Sequence, residues 1–138
     1  LGVPSFVFSR EEFIAGVPIL EKLAEYDVCL IVLAGFMNKI SDVILQAFPG
    51  KIVNIHPALL PKYGGKGMYG MHVHEAVVKA GERESGITIH YINEHYDEGA
   101  IIFQASCPVL PSDTPEEVAS KVHALEYAHY PHVIESLL

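Results

Sequence analysis

Lys51-Ile52-Val53-Asn54-Ile55-His56-Pro57 reads as a brief buried strand entered from the turn pair Pro49-Gly50. Its apolar members are β-branched, and such residues fit the pleated surface of a sheet. Side chains alternate along a strand, so Asn54 and His56 point to one face. Pro57 has no N–H to give a ladder and ends the strand. An amide and an imidazole therefore stand side by side at a carboxyl end, where open α/β sheets bind ligands.

Outward from this strand, elements of both periods appear. On its N-terminal side, Val3 to Phe8 reads as a strand, and Ser9 with Glu12 forms a capping box that opens a helix. Gly16 and Pro18 break that helix, and a second piece with Leu20 and Leu23 inward runs to about Tyr26. Val28 to Ala34 is a near-continuous β-rich run, the pattern of a strand buried on both faces. Gly35 turns the chain, and Ser41 caps a short helix through about Phe48.

On the C-terminal side a Pro- and Gly-rich loop, Pro57 to Gly70, leads to a helix from Met71 to Ala80 that Gly81 stops. Gly86 to Ile92 and Ala100 to Val109 read as two strands of a hairpin around Asp97-Glu98-Gly99. Thr114, Pro115 and Glu117 start a last long helix. Val118, Val122 and Leu125 form its inward stripe, and Pro131 should kink it. Strands alternating with helices, then a hairpin and a terminal helix, imply an α/β fold. The expected architecture is an open, mostly parallel, Rossmann-like sheet with an antiparallel C-terminal edge, in one domain over residues 1–138.

Half of the 138 residues are apolar and 19% are charged, which fits a globular chain rather than a disordered one. The longest apolar run, Val28 to Met37, is too short to span a bilayer. A net charge of −8 argues against a nucleic-acid partner, which wants a basic face. Cys29 and Cys107 lie in apolar runs without metal-type spacing, so no disulfide framework is expected and a reducing cytoplasm is.

An isolated N-x-H has an ordinary reading, a capping amide and a core histidine. Asp97, in a polar turn beside a glycine and within reach of a neighbouring strand end, adds a carboxylate that would orient an imidazole and raise its pKa. The three supply an amide donor for a developing oxyanion, a general acid/base, and a group that orients the base and a water. No strong nucleophile accompanies them, which suits direct transfer of an activated acyl group to an amine. His72-Val73-His74 with His56 or Asp97 would give a zinc set only if side chains two apart on a helix converged. They diverge, and no metal is expected.

Asn54 to Tyr63 (N-I-H-P-A-L-L-P-K-Y), Leu33 to Met37 (L-A-G-F-M), Gly86 to Tyr91 (G-I-T-I-H-Y) with Asp97 to Ala100 (D-E-G-A), and Leu125 to Pro131 (L-E-Y-A-H-Y-P) together resemble the glycinamide ribonucleotide formyltransferases. The motifs span nearly the whole chain in that family's order. The resemblance implies a Rossmann-like formyltransferase fold and an enzyme that moves the formyl group of 10-formyltetrahydrofolate to glycinamide ribonucleotide in de novo purine synthesis. It implies Asn54, His56 and Asp97 as the catalytic set: Asn54 holds the formyl oxygen, His56 stabilises it and shuttles protons, and Asp97 orders a water and supports His56.

For the folate co-substrate the resemblance implies Met37, Asn38, Lys39 and Ile40 after L-A-G-F-M, and Ile92, Asn93, Glu94 and Tyr96 before the aspartate. Asn38 replaces the family's arginine near the folate tail, with Lys39 beside it. On the ribonucleotide side it implies Glu126 in the last helix, and Pro57 at the strand end. The implied partners are these small molecules, with neither nucleic acid nor membrane, in a monomer or homodimer.

Two departures stand out. Gly64 to Met71 (G-G-K-G-M-Y-G-M) is longer than the family's P-G-L-H form, and reads as a lid, an anion nest or a plain turn. The family's glycine-rich phosphate loop is absent, so an N-terminal segment is expected to precede Leu1. Residues 1–138 alone would then expose a sheet edge and be poorly soluble. Methionyl-tRNA formyltransferase, formyltetrahydrofolate hydrolase and a folate- or nucleotide-binding module are the alternatives.

Overall fold

The computed structural model describes residues 2–36, 38–94 and 99–138. In chain order the elements are α1 (Arg10–Ala15), α2 (Val17–Glu25), β1 (Ile31–Leu33), α3 (Asp42–Ala47), β2 (Ile52–His56), α4 (Met71–Lys79), β3 (Glu84–Tyr91), β4 (Ile101–Pro108) and α5 (Pro115–Leu137). The strands form one open sheet in the order β1-β2-β3-β4. β1 and β2 run parallel, while β2–β3 and β3–β4 are antiparallel, so the sheet is mixed and its antiparallel part reaches in as far as β2. The open α/β architecture, its antiparallel C-terminal edge and the long terminal helix are as expected, but among the described strands the sheet is mixed rather than mostly parallel, because the β3–β4 hairpin joins β2 antiparallel.

Ile52 and Ile55 are an odd number of positions apart and serve opposite faces. Ile55 joins Ile87, Ile89, Val77, Val118, Val122 and Tyr130 in a buried cluster under α4 and α5. Ile52 joins Ile40 and Ile44 on the other face, with half-buried Ile31, Leu33 and Leu20 packed against them. Position 16 sits in the turn between α1 and α2 with φ 78°, and a Cβ there would lie 2.2 Å from Ser41 Oγ, so only glycine fits.

The local signals that open helices behave as expected at two sites. Ser9 and Glu12, and Thr114 and Glu117, each form a complete capping box. Ser41 is the N-cap of α3 by backbone conformation, but its hydroxyl accepts no capping bond. α5 continues through Pro131 to Leu137. Beyond its start, Lys121 reaches Asp113 at 2.6 Å and the Pro108 carbonyl at 3.0 Å, which ties the helix to the end of β4.

Two further expectations fail. Val3 to Phe8 forms no strand; Val3 and Val7 are largely exposed, Pro4 offers no ladder N–H, and no neighbouring strand pairs with the segment. The run Val28 to Ala34 contracts to the three residues Ile31–Leu33, half-buried at the ends with Val32 38% exposed. Among the described residues β1 pairs with β2 alone, so β-branched residues there have a ladder on one side and no full cover. Cys29 consequently lies outside any strand and is exposed, whereas Cys107 lies within β4; both are free thiols.

Candidate active site

Asn54 and His56 occupy the last turn of pleat in β2, and both line a cleft of about 660 Å3 at the carboxyl ends of β1 and β2. That volume is in the range of small-molecule sites. His56 is 4% exposed. Its Nε2 lies 2.7 Å from the carbonyl of Tyr63. A carbonyl only accepts, so Nε2 carries the hydrogen and Nδ1 is the basic nitrogen of the neutral ring. Tyr63 holds that carbonyl in place from a left-handed backbone, φ 56°, which is uncommon for a side-chain-bearing residue.

The loop that follows β2 is fixed from the antiparallel half of the sheet. Thr88, opposite His56 in β3, is fully buried. Its hydroxyl donates to the Ala58 carbonyl at 2.7 Å and accepts from the Leu60 amide at 3.0 Å. Gln104 of β4 donates to Thr88 Oγ1 at 2.9 Å and to the Leu60 carbonyl at 3.0 Å. Buried polar groups that are satisfied this way rigidify what they join.

Two buried atoms at the cleft are left over. Asn54 Oδ1 and His74 Nδ1 find no hydrogen-bond partner among the described residues. An unsatisfied buried polar atom costs about 1–3 kcal/mol, so native folds keep few of them, and those at a cleft suit a polar ligand. Burial first, and then the neighbouring His123 and His56, push the His74 pKa down, so His74 stays neutral beside His56. Burial pushes Glu126 up, and His123 partly opposes it. Burial chiefly, with Glu126 adding, holds the Tyr130 phenol protonated.

The cleft gathers residues distant in sequence. Asn38, Lys39 and Ile40 line it, as do Ile92, Asn93 and Glu94, Pro57, and Glu126. Three expected site residues, Met37, Tyr96 and Asp97, lie outside the described residues. The glycine-rich stretch also contributes, with Lys66 between Gly65 and Gly67, both at positive φ. His74, His123 and Tyr130 line the cleft without having been assigned a role from sequence. His74 carries only the signal of a histidine on the buried face of α4, while exposed His72 points away from it. Among the described residues no group of three or more His, Cys, Asp or Glu is placed to hold a metal ion, and no helix is long and apolar enough to cross a membrane.

Residues 3–134 match the family described as Formyl transferase. The chain is 42% identical to "Phosphoribosylglycinamide formyltransferase, chloroplastic" of Arabidopsis thaliana over 141 residues, covering 99% of this chain and 48% of that protein. It is 40% identical to the Bacillus subtilis phosphoribosylglycinamide formyltransferase, with 99% and 69% covered. The crystal structure of phosphoribosylglycinamide formyltransferase from Streptococcus pneumoniae superposes with a TM-score of 0.88 at 36% identity, covering 99% of this chain and 75% of that one. The chain spans about half the length of the plant relatives it matches.

Proposed function

This chain belongs to the formyl transferase family, and we propose that the protein carrying it transfers the formyl group of 10-formyltetrahydrofolate to the amine of glycinamide ribonucleotide, in purine biosynthesis. The observation that carries this reading is the pair at the end of β2: Asn54 and His56, both on the cleft at the strand's carboxyl end. Residues 1–138 are taken as one formyltransferase domain.

The substrate amine attacks the formyl carbon, and the carbonyl oxygen becomes an alkoxide. The Asn54 amide donates an N–H to that oxygen as charge develops, an effect worth on the order of 10²–10³ in rate per donor. The attacking nitrogen loses a proton, which the basic form of His56 accepts. The carbon–N10 bond then breaks as N10 takes a proton back, and His56 regains its starting form. A neutral His74 beside His56 adds no competing positive charge. Asp97 orders the water that bridges these transfers and supports the imidazole.

On the same reading, Met37, Asn38, Lys39 and Ile40 with Ile92, Asn93, Glu94 and Tyr96 hold the folate. Glu126 and Pro57 face the ribonucleotide. The protein acts as a monomer or homodimer, which size-exclusion chromatography with light scattering distinguishes. A cytoplasmic location is part of the proposal; the names of two plant relatives place those proteins in the chloroplast, and imaging of a tagged full-length protein separates the two.

The test is formyl transfer by the full-length protein, wild type against His56→Ala. We expect transfer in the wild type and a loss on the order of 10²–10⁴ in kcat in the variant. Formate release without transfer to the amine would instead mean a hydrolase. Folate binding with neither reaction would mean a binding module.

A further inference from the structure

Tyr130 is buried in the cluster under α5, beside Val118 and Val122, with only 8% of its surface exposed. Its hydroxyl leaves that cluster and donates to the carbonyl of Leu33 at 2.6 Å. Leu33 is the last residue of β1. The chain then turns at Gly35, φ 65°, into the segment that carries Asn38, Lys39 and Ile40 along the cleft. Glu126 lies four positions before Tyr130 on α5, one helical turn away on the same face. The two walls of the cleft therefore meet at one hydrogen bond between residues 97 positions apart.

The backbone at this point makes the side-chain anchor more important. Pro131 has no N–H, so the carbonyl of Tyr127 receives no i+4 helical bond. The helix has one fewer internal restraint in the turn that holds Tyr127 and Tyr130 against the cleft.

We propose that Tyr130 is a positioning residue that sets the span between the 33–40 segment and the Glu126 face of α5, and so aligns the formyl donor with the acceptor amine. This rests on the function proposed above, in which the first wall holds the donor and the second the acceptor. The Tyr130 hydroxyl is committed to the Leu33 carbonyl and acts through that segment. Its effect is on the distance between donor and acceptor, where a misplacement of about 1 Å can cost up to 10²-fold in rate.

The test compares Tyr130→Phe with Val118→Ala in the full-length protein. Phe keeps the ring and removes only the tether, whereas Val118→Ala loosens the same cluster and leaves the tether in place. For Tyr130→Phe we expect kcat to fall about tenfold while the KM for each substrate changes less than twofold, because each wall still binds its own ligand. Amide hydrogen exchange in β1, Ile31 to Leu33, which pairs with β2, should rise about tenfold in the same variant. Val118→Ala should lower the melting temperature without the loss of kcat. An unchanged kcat in Tyr130→Phe, or an equal loss in both variants, would overturn the proposal. If the wild type transfers no formyl group, the proposed function falls, and the tether is judged by exchange alone: faster exchange at Ile31 to Leu33 in Tyr130→Phe supports it, and unchanged exchange refutes it.

Discussion

The two ends of the sheet are built to different standards. Around β3, every residue from Ser85 to His90 is buried, and the strand lies between β2, β4 and the long helix α5. Around β1, the strand is three residues long, pairs on one side only, and the neighbouring α1 and α2 contribute no buried residue. Asn54 and His56 belong to β2, the strand between these regions. The dense side supplies rigidity, through Thr88 and Gln104 on the loop after His56. The sparser side, as far as the described residues go, carries residues 33–40 along the cleft. A cleft needs both, since a site held only by packed elements has no entrance and one held only by loops has no fixed geometry.

Perturbations should therefore cost far more on the dense side. The largest effect is expected at Gly86, where a Cβ would lie 2.0 Å from the Ala105 carbonyl and 2.8 Å from Leu59. Gly86→Ala should destabilise by about 3–5 kcal/mol, as overpacking against backbone cannot relax by a rotamer change; urea denaturation reads it. Next comes Val122→Ala, expected to cost about 2–3 kcal/mol in its fully buried position. Val32→Ala on β1 should cost less than about 0.5 kcal/mol by the same measurement. Equal losses at Val122 and Val32 would abolish the distinction between the two regions.

Capping should sharpen it further. Thr114→Ala removes the box that opens α5 and should cost about 1 kcal/mol of global stability. Ser9→Ala removes the same box from α1, yet it should leave the global transition nearly unmoved and speed exchange only at the amides of α1. The smallest effect concerns pH. His74 is held below its ordinary value of 6.5 in the folded protein. As pH falls through about 6.5 the unfolded chain takes up a proton that the folded chain refuses, so stability declines until the folded group also titrates. Melting temperature against pH should fall more steeply in this window for the wild type than for His74→Asn.

Legibility in the sequence follows the same division. β2, α4, the β3–β4 pair and α5 were readable because their signals are local: a proline stop, a Gly81 terminator, alternation, a capping box. Val3 to Phe8 and the length of β1 were not, because strand propensity becomes a strand only where a partner and a covering layer exist. At the cleft, Asn54, His56, Pro57 and Glu126 stood out by residue type and motif. Tyr130 lay within the Leu125 to Pro131 motif but without a role of its own, since only the folded chain brings its hydroxyl to Leu33. His74 was weighed only as a zinc ligand, and His123 was not singled out at all.

The bond between Tyr130 and Leu33 also fixes when the cleft can first exist during synthesis. Chains emerge N-terminus first, so β1 and β2, with Asn54 and His56 already in sequence, leave the ribosome well before α5. Until that helix arrives, one wall of the cleft and its Glu126 are missing. The chemistry-bearing residues are thus made early, and the Glu126 wall of the cleft joins them only when α5 docks.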